Sequence, residues 1–417
     1  MLREMAMALP ENPEELFGNE TWSDLSRQQE MPTIDFERMY AYRLARLRQQ
    51  LIRHDAAFGI FFNPISLRYA VDYRNYCLFQ SHIPSTYLFL PQDGPVILYG
   101  AYGTNALADE LRPGRTTAYF DGGPNIDEAA RLLARDVQDY LTEIGSDNHT
   151  VAVEYANPSI VQALSRAGLN VIDGVHVSEQ ARVIKNEDEI ACIRWAVAVA
   201  EHGIGQMQKA VQPGVREVQL WGLLNYANLA NNGDWHEGRM LASGPRINPW
   251  LQEASMRQLE AGDLVGFDTD MVGPFGYFAD ISRTLFCGPG QPNHRQKQLF
   301  QLAAAEVAHN MALIRPGLSF ADYQQQSYPV AEAFRENAYT CLVHGVGMCD
   351  EYPRINPLFR GPNPYAGELE AGMVVCVESY VGAVGERNGV KIEEQILVTE
   401  DGFEKLTRYP LDERLLD

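Results

Sequence analysis

Three separated stretches of this chain put acidic residues on one face of a strand pattern whose other face is apolar, and no other feature limits its fold so tightly. The first, GDLVGFDTDMVGPFGYFADISRTLF over 262–286, reads as a hairpin with its turn in GPFG. Side chains on a strand alternate faces with a period of two. Val265, Phe267 and Thr269 therefore point one way, and Asp268 and Asp270 the other. On the return strand Ala279, Ile281 and Leu285 share a face, and Asp280 takes the opposite one. In GMVVCVESYVG (372–382), Val375 and Val377 lie together and Glu378 lies opposite. In GVKIEEQILVTEDG (389–402), Val390, Ile392, Ile396 and Val398 share one face, while Glu393 lies on the other with Lys391 and Gln395. Glu394 falls on the apolar parity and is passed over as a ligand.

For one strand, a solvated acidic face is the ordinary explanation of such alternation. Three strands with the same arrangement argue for convergence, and converging carboxylates need a cation. His344, in VHGVGMCDEYP, adds an imidazole that Gly345 and Gly347 could aim from a tight turn. Asp268, Asp270, Asp280, His344, Glu378 and Glu393 form a donor set of carboxylates and one nitrogen. It suits two divalent ions of the hard or borderline kind: iron, manganese, cobalt or zinc.

A chain of 417 residues exceeds one ordinary core, so two domains are expected. Residues 1–35 read as a polar, acidic arm. Residues 36–180 alternate helices and strands: an amphipathic helix from about Phe36 to His54 with arginines on its wet face, a strand in AAFGIFFNP, two strands in TYLFLPQDGPVILYG, a helix near 127–143 and a strand in TVAVEYA. A long helix from about Glu187 to Val211 opens the remainder, and the second domain is placed at 181–417. With 34 basic against 55 acidic residues the net charge is −21, which repels nucleic acid and anionic membrane. The N-terminal stretch lacks the pattern of a secretory signal, and no run is long and apolar enough to span a bilayer, so a cytoplasmic protein is expected. The cysteines show no CxxC pair and read as reduced thiols, with Cys349 a small packing residue beside the site.

GDLVGFD, FADISRT, VHGVG, VVCVES and VKIEEQILVTEDG resemble, in order, the metal-ligand blocks of the pita-bread superfamily, which holds methionine aminopeptidase, Xaa-Pro peptidases, prolidase and creatinase. RLARLRQQLIRHDAAFGIFFNP is similar to the creatinase-type N-terminal domain, and ARVIKNEDEIACIRWA to the helix that opens the catalytic domain. The resemblance implies an α+β chain: a creatinase-like α/β domain followed by a pseudo-symmetric pita-bread catalytic domain, usually dimeric. It also implies a dinuclear site on Asp268, Asp280, His344, Glu378 and Glu393.

The departures narrow this. Where the peptidases carry a histidine in an HEEP-like sequence, this chain reads Asp350-Glu351-Tyr352-Pro353, one residue shorter. Where they carry a second histidine, SGPRINPW ends in Trp250. Ordinary peptide hydrolysis is not expected without those imidazoles. Asp270, Asp350 and Tyr339 instead resemble the dimethylsulfoniopropionate-lyase branch of the superfamily, with iron the implied metal. That resemblance implies β-elimination from a zwitterion to acrylate and dimethyl sulfide. Asp350 would be the base, Tyr339 would offer its ring to the sulfonium, and Trp250 would be a further aromatic there or a core residue. Two other readings stay open: a metallopeptidase of the Xaa-Pro class, and a non-catalytic binding protein on the same fold.

Overall fold

The computed structural model describes residues 25–27, 29–74, 76–100, 106–114 and 123–416, so most of the arm expected at 1–35 lies outside the described residues. Contacts divide the chain into two compact units. One is Asp35–Asp188; the other joins the described residues up to Ile34 to Glu189–Asp417. The division falls after Asp188 rather than at 180/181 for a visible reason. Asp188 is tied back to the start of the first unit, accepting from Asp35 N–H at 2.9 Å and from Arg38 Nε and Nη2 at 2.6 and 2.8 Å.

The first unit opens with α1 (Phe36–Arg53), capped by Asp35, whose carboxylate accepts from Arg38 N–H. Not all its arginines are wet. Arg43 is 1% exposed, its guanidinium 5.4 Å from the ring centres of both Tyr40 and Tyr69. A planar, weakly hydrated guanidinium can stack on aromatic faces, so helical periodicity alone misassigns it. Next come β1 (Phe58–Phe61), α2 (Pro64–Val71), α3 (Cys77–His82), β2 (Tyr87–Pro91), β3 (Ile97–Tyr99) and β4 (Glu110–Arg112). They are followed by α4 (Ile126–Glu143), β5 (Thr150–Val153), α5 (Pro158–Arg166), β6 (Asn170–Asp173) and α6 (Val175–Arg182). The strands form one mixed sheet in the order β4-β3-β2-β1-β5-β6. Phe58, Ile60, Tyr87 and Phe89 from the sheet meet Leu133, Val137 and Tyr140 of α4 in its core.

The second unit holds most of α7 (Glu187–Ala210), then α8 (Glu217–Ala230), β7 (Trp235–His236), β8 (Leu241–Ser243), β9 (Leu264–Asp268), β10 (Met271–Val272), β11 (Phe278–Ala279) and β12 (Ser282–Phe286). Helices α9 (His294–Ala312) and α10 (Phe320–Gln326) precede β13 (Val343–Val346), β14 (Asp350–Ile355), β15 (Val374–Val381), β16 (Val390–Thr399), β17 (Gly402–Lys405) and α11 (Glu413–Leu416). Among the described residues these strands make sheets in the orders β12-β9-β8, β11-β10-β7 and β14-β13-β15-β16-β17.

The 262–286 hairpin is real but broken. β9 pairs with β12 and β10 with β11, and the chain leaves strand geometry at Asp270, whose φ is +36°. An aspartate tolerates that left-handed region better than most residues. Asp270 and Asp280 are therefore aimed by breaks in the strands rather than by strand alternation. β12 is joined to β16 through its side chains. Thr284 Oγ1 donates to Lys391 O at 2.9 Å and accepts from Lys391 N–H at 3.0 Å, and Arg283 Nη1 donates to Glu393 O at 2.7 Å. β12, at the edge of its own sheet, is thus tied to the stretch of β16 before its pairing with β17 begins, and the acidic faces meet.

Candidate metal centre

Glu378 on β15 and Glu393 on β16 are direct cross-strand neighbours, as are His344 on β13 and Cys376 on β15. Asp268 on β9 pairs with Ser282 on β12, and Ser282 Oγ donates to Glu393 Oε2 at 2.7 Å, linking the two halves. Gln395 Oε1 accepts from Asp280 N–H at 3.0 Å and so fixes the backbone at the break. His344 Nε2 faces inward, 3.2 Å from Glu393 Oε1, 3.5 Å from Glu378 Oε1 and 3.6 Å from Asp280 Oδ2. The six residues read from sequence are brought together. Asp268, Asp270 and Asp280 offer one cluster of donor atoms, and Asp280, His344, Glu393 and Cys376 a second, each with its atoms within 4.8 Å of one another.

His344 does not sit in a glycine turn, as the sequence suggested, but on β13, where the pairing with β14 slips between His344 and Gly345. Glycine is needed there for close approach: a Cβ on Gly345 would lie 2.2 Å from Tyr352 O. The acidic faces do not meet solvent. Every residue of β15 is buried, because α9 covers the side away from the cluster; there Ser379 Oγ donates to Glu306 Oε2 at 2.7 Å. Glu394, passed over as a ligand, points away and pairs with Arg283 at 3.0 Å.

Lys391 is the member that sequence reading left without a role. Its Nζ lies 2.7 Å from Glu378 Oε2, 3.0 Å from Glu393 Oε2 and 3.2 Å from Asp268 Oδ2, and is fully buried. It shares strand parity with Glu393, which was a usable signal. Cys341 Sγ also reaches the cluster, donating to Glu378 Oε1 at 2.9 Å. Tyr339 lends a ring face to Lys391 Nζ, 4.5 Å from its centre. Trp250 is 6% exposed, stacks on Tyr380 at 6.0 Å and lies over Gly266, where a Cβ would come within 3.1 Å of its ring. Asp350 stands at the rim with its side chain 53% exposed, its Oδ1 3.4 Å from His344 Nδ1. Cys349 beside it is half-buried.

The electrostatics are those of a site short of positive charge. Burial, reinforced by Asp268, Asp350 and Glu393, holds Asp270 well above the usual carboxylate range; burial with Glu393 and Asp268 does the same to Asp280. Burial and then Glu393 raise Asp268, and burial pushes Glu378 up to about 7 against the pull of Lys391. Glu393 is the exception: burial opposes its charge, but Lys391 and His344 outweigh burial and hold it low. Burial likewise works against charge on His344 and Lys391, and the surrounding carboxylates outweigh it in both. Asp268 Oδ1 and Asp280 Oδ1 are buried with no hydrogen-bond partner among the described residues. Such orphaned oxygens, among buried carboxyls that one another's charge raises, fit divalent metal ions. Cys376 adds one thiol to a set otherwise made of oxygens and one imidazole.

The comparisons agree with this geometry. Residues 191–400 match the model of metallopeptidase family M24. A curated relative, the dimethylsulfoniopropionate lyase DddP of Roseovarius nubinhibens, is 36% identical over 394 residues, covering 92% of this chain and 88% of that protein. The chain belongs to metallopeptidase family M24. The DddP of Roseobacter denitrificans is 33% identical over the same shares. Among solved structures, an Xaa-Pro dipeptidase from Bacillus anthracis superposes with a TM-score of 0.70 at 21% identity, covering 89% of this chain and 99% of that one. That likeness shows the pita-bread fold, with an N-terminal domain before the catalytic domain. Membership in M24 carries dependence on a dinuclear metal centre.

Proposed function

We infer that this protein is a metal-dependent carbon–sulfur lyase that cleaves dimethylsulfoniopropionate to acrylate and dimethyl sulfide. The observation that carries the reading is Asp350, a carboxylate at the open rim of an otherwise buried cluster and in reach of His344 Nδ1. The family's peptidases resemble one another in having an imidazole at that place. Two relatives that match 92% of this chain, at 36% and 33% identity, are named as lyases of this substrate.

Asp268, Asp270, Asp280, His344, Glu378 and Glu393 would hold two metal ions. When bound, these ions supply positive charge to anchor a substrate carboxylate and to stabilise the negative charge that builds on it. The remaining chemistry falls to the chain. Asp350 takes the α-proton; the electron pair of that C–H bond forms the new double bond, and the Cβ–S bond breaks with its pair leaving on sulfur. Dimethyl sulfide departs neutral, so no general acid is required. Lys391 holds Glu378 and Glu393 in place, and Tyr339 covers Lys391.

Iron is the proposed metal, from the resemblance to the lyase branch; the donor set also accepts manganese, cobalt or zinc. A homodimer in the cytoplasm completes the proposal. Among the described residues no helix is long and apolar enough to cross a membrane. The second reading, an Xaa-Pro-type metallopeptidase, is supported by the M24 match itself. One assay separates the two. Metal-loaded protein is given dimethylsulfoniopropionate and, separately, an Xaa-Pro dipeptide. Equimolar dimethyl sulfide and acrylate support the lyase; free proline without dimethyl sulfide overturns it.

A further inference from the structure

One sulfur atom lies among the carboxylates. Cys376 is on β15 two residues before Glu378, so both side chains take the face opposite Val375 and Val377. It is fully buried, yet its cross-strand neighbours on that face, His344 and Gln395, are both polar. The apolar partners that a packing thiol would want are on the other face, with the valines. Its Sγ reaches towards the break between β11 and β12 and meets Asp280 O at 3.7 Å, a long and weak contact. Cys341 is placed differently. Its shorter bond, 2.9 Å to Glu378 Oε1, ties it to a single ligand, and among the described residues it belongs to neither group of gathered donor atoms.

Those two groups differ in kind. Asp268, Asp270 and Asp280 offer oxygen alone, whereas Asp280, His344, Glu393 and Cys376 offer oxygen, nitrogen and sulfur, their donor atoms all within 4.8 Å of one another. Bonds of about 2.0–2.3 Å put the ligands of one ion within about 4.6 Å of each other, so the mixed group already has nearly the size of a coordination sphere. Asp280 Oδ1, at its centre, is buried and has no hydrogen-bond partner among the described residues, an acceptor that a cation would satisfy. We propose that Cys376 is a direct metal ligand, completing one of the two positions with Asp280, His344 and Glu393, and that its sulfur makes that position select thiophilic ions such as cobalt, zinc or iron over manganese. The thiol gives up its proton to water when it binds. The position built from oxygen alone has no such preference. The two halves of the centre are thus chemically unequal, whichever reaction the centre performs.

The test loads the full chain with cobalt(II) alone and reads its near-ultraviolet spectrum, where a thiolate bound to cobalt gives a charge-transfer band that carboxylate and imidazole ligands do not. Wild type is expected to show the band, Cys341→Ser to keep it and Cys376→Ser to lose it. Titrations in metal buffers give a second reading: Cys376→Ser weakens zinc binding by about tenfold or more and manganese binding by about twofold at most. A thiol that only packs would shift the melting temperature and leave the band and the zinc-to-manganese ratio where they were. Cys376→Ala replaces the serine variant if that one does not fold, and the wild-type spectrum needs no variant at all. Wild type that binds cobalt without the band, or a band lost in Cys341→Ser and kept in Cys376→Ser, overturns the proposal. If wild type binds no cobalt, the metal centre itself falls and the thiol ligand with it.

Discussion

Lys391 Nζ sits 2.7 Å from Glu378 Oε2, so a ligand carboxylate of the candidate centre is held by an ammonium two residues from another ligand, Glu393, on the same strand face. Removing that ammonium leaves Asp268, Glu378 and Glu393 facing one another inside the protein. Lys391→Met is expected to destabilise the metal-stripped protein by about 3–5 kcal/mol, the cost of breaking a buried ion pair. Loading with metal recovers much of the loss. Thermal unfolding with chelator and with metal, wild type beside variant, measures both; an unchanged metal-free melting temperature would falsify the role.

Asp350 touches His344 Nδ1 as well as facing the substrate side, so loss of activity in Asp350→Ala has two explanations. Asp350→Asn separates them. The amide oxygen still accepts from an imidazole N–H, but the side chain cannot take a proton. Dimethyl sulfide release is expected to fall by about 10²–10⁴-fold in both variants, as for loss of a general base. Metal content by elemental analysis should stay at the wild-type level. Activity retained in Asp350→Asn would make the residue an orienter of His344 and nothing more.

Glu393 accepts from Ser282, His344 and Lys391 and stands against Glu378. Glu393→Ala should cut bound metal further than the 10–100-fold affinity loss usual for residues behind the ligands. Equilibrium dialysis against a metal buffer reads this directly, and full stoichiometry in the variant would remove Glu393 from the set.

Glu306, behind β15, is pushed by burial up to about 7. Its folded state holds the proton more tightly than the unfolded chain does. Stability therefore falls as pH rises from the ordinary carboxylate value towards 7, and the loss is complete above it. The full loss is about 3 kcal/mol at the linkage rate of 1.36 kcal/mol per unit. Glu306→Gln should remove that slope and be the more stable protein at pH 8. Denaturant midpoints at pH 5 and pH 8 for both proteins show whether the curves converge at low pH as expected; parallel curves would refute it.

The carboxylates were legible because period two is strict on β15 and β16, where Glu378 and Glu393 stand in register. Asp270 and Asp280 fell on the right face for another reason: the chain breaks strand geometry beside them, and only the positive φ at Asp270 shows it. Parity also says nothing of what covers a face, so burial of the acids under a second sheet was unreadable. Arg43 was misjudged because a charged side chain is read as wet until its partners are known, whereas Lys391, placed on the face of Glu393, was left without a role.

Asp350 is the exposed acid of this neighbourhood, whereas Asp268, Asp280, Glu378 and Glu393 are each less than about one-twentieth exposed. Altering any of the latter disturbs two sheets at once. Altering the rim residue disturbs almost nothing that holds the chain together. The scaffold thus separates inheritance of a metal cradle from choice of reaction, and a lineage could trade hydrolysis for elimination through the rim without passing through an unfolded ancestor.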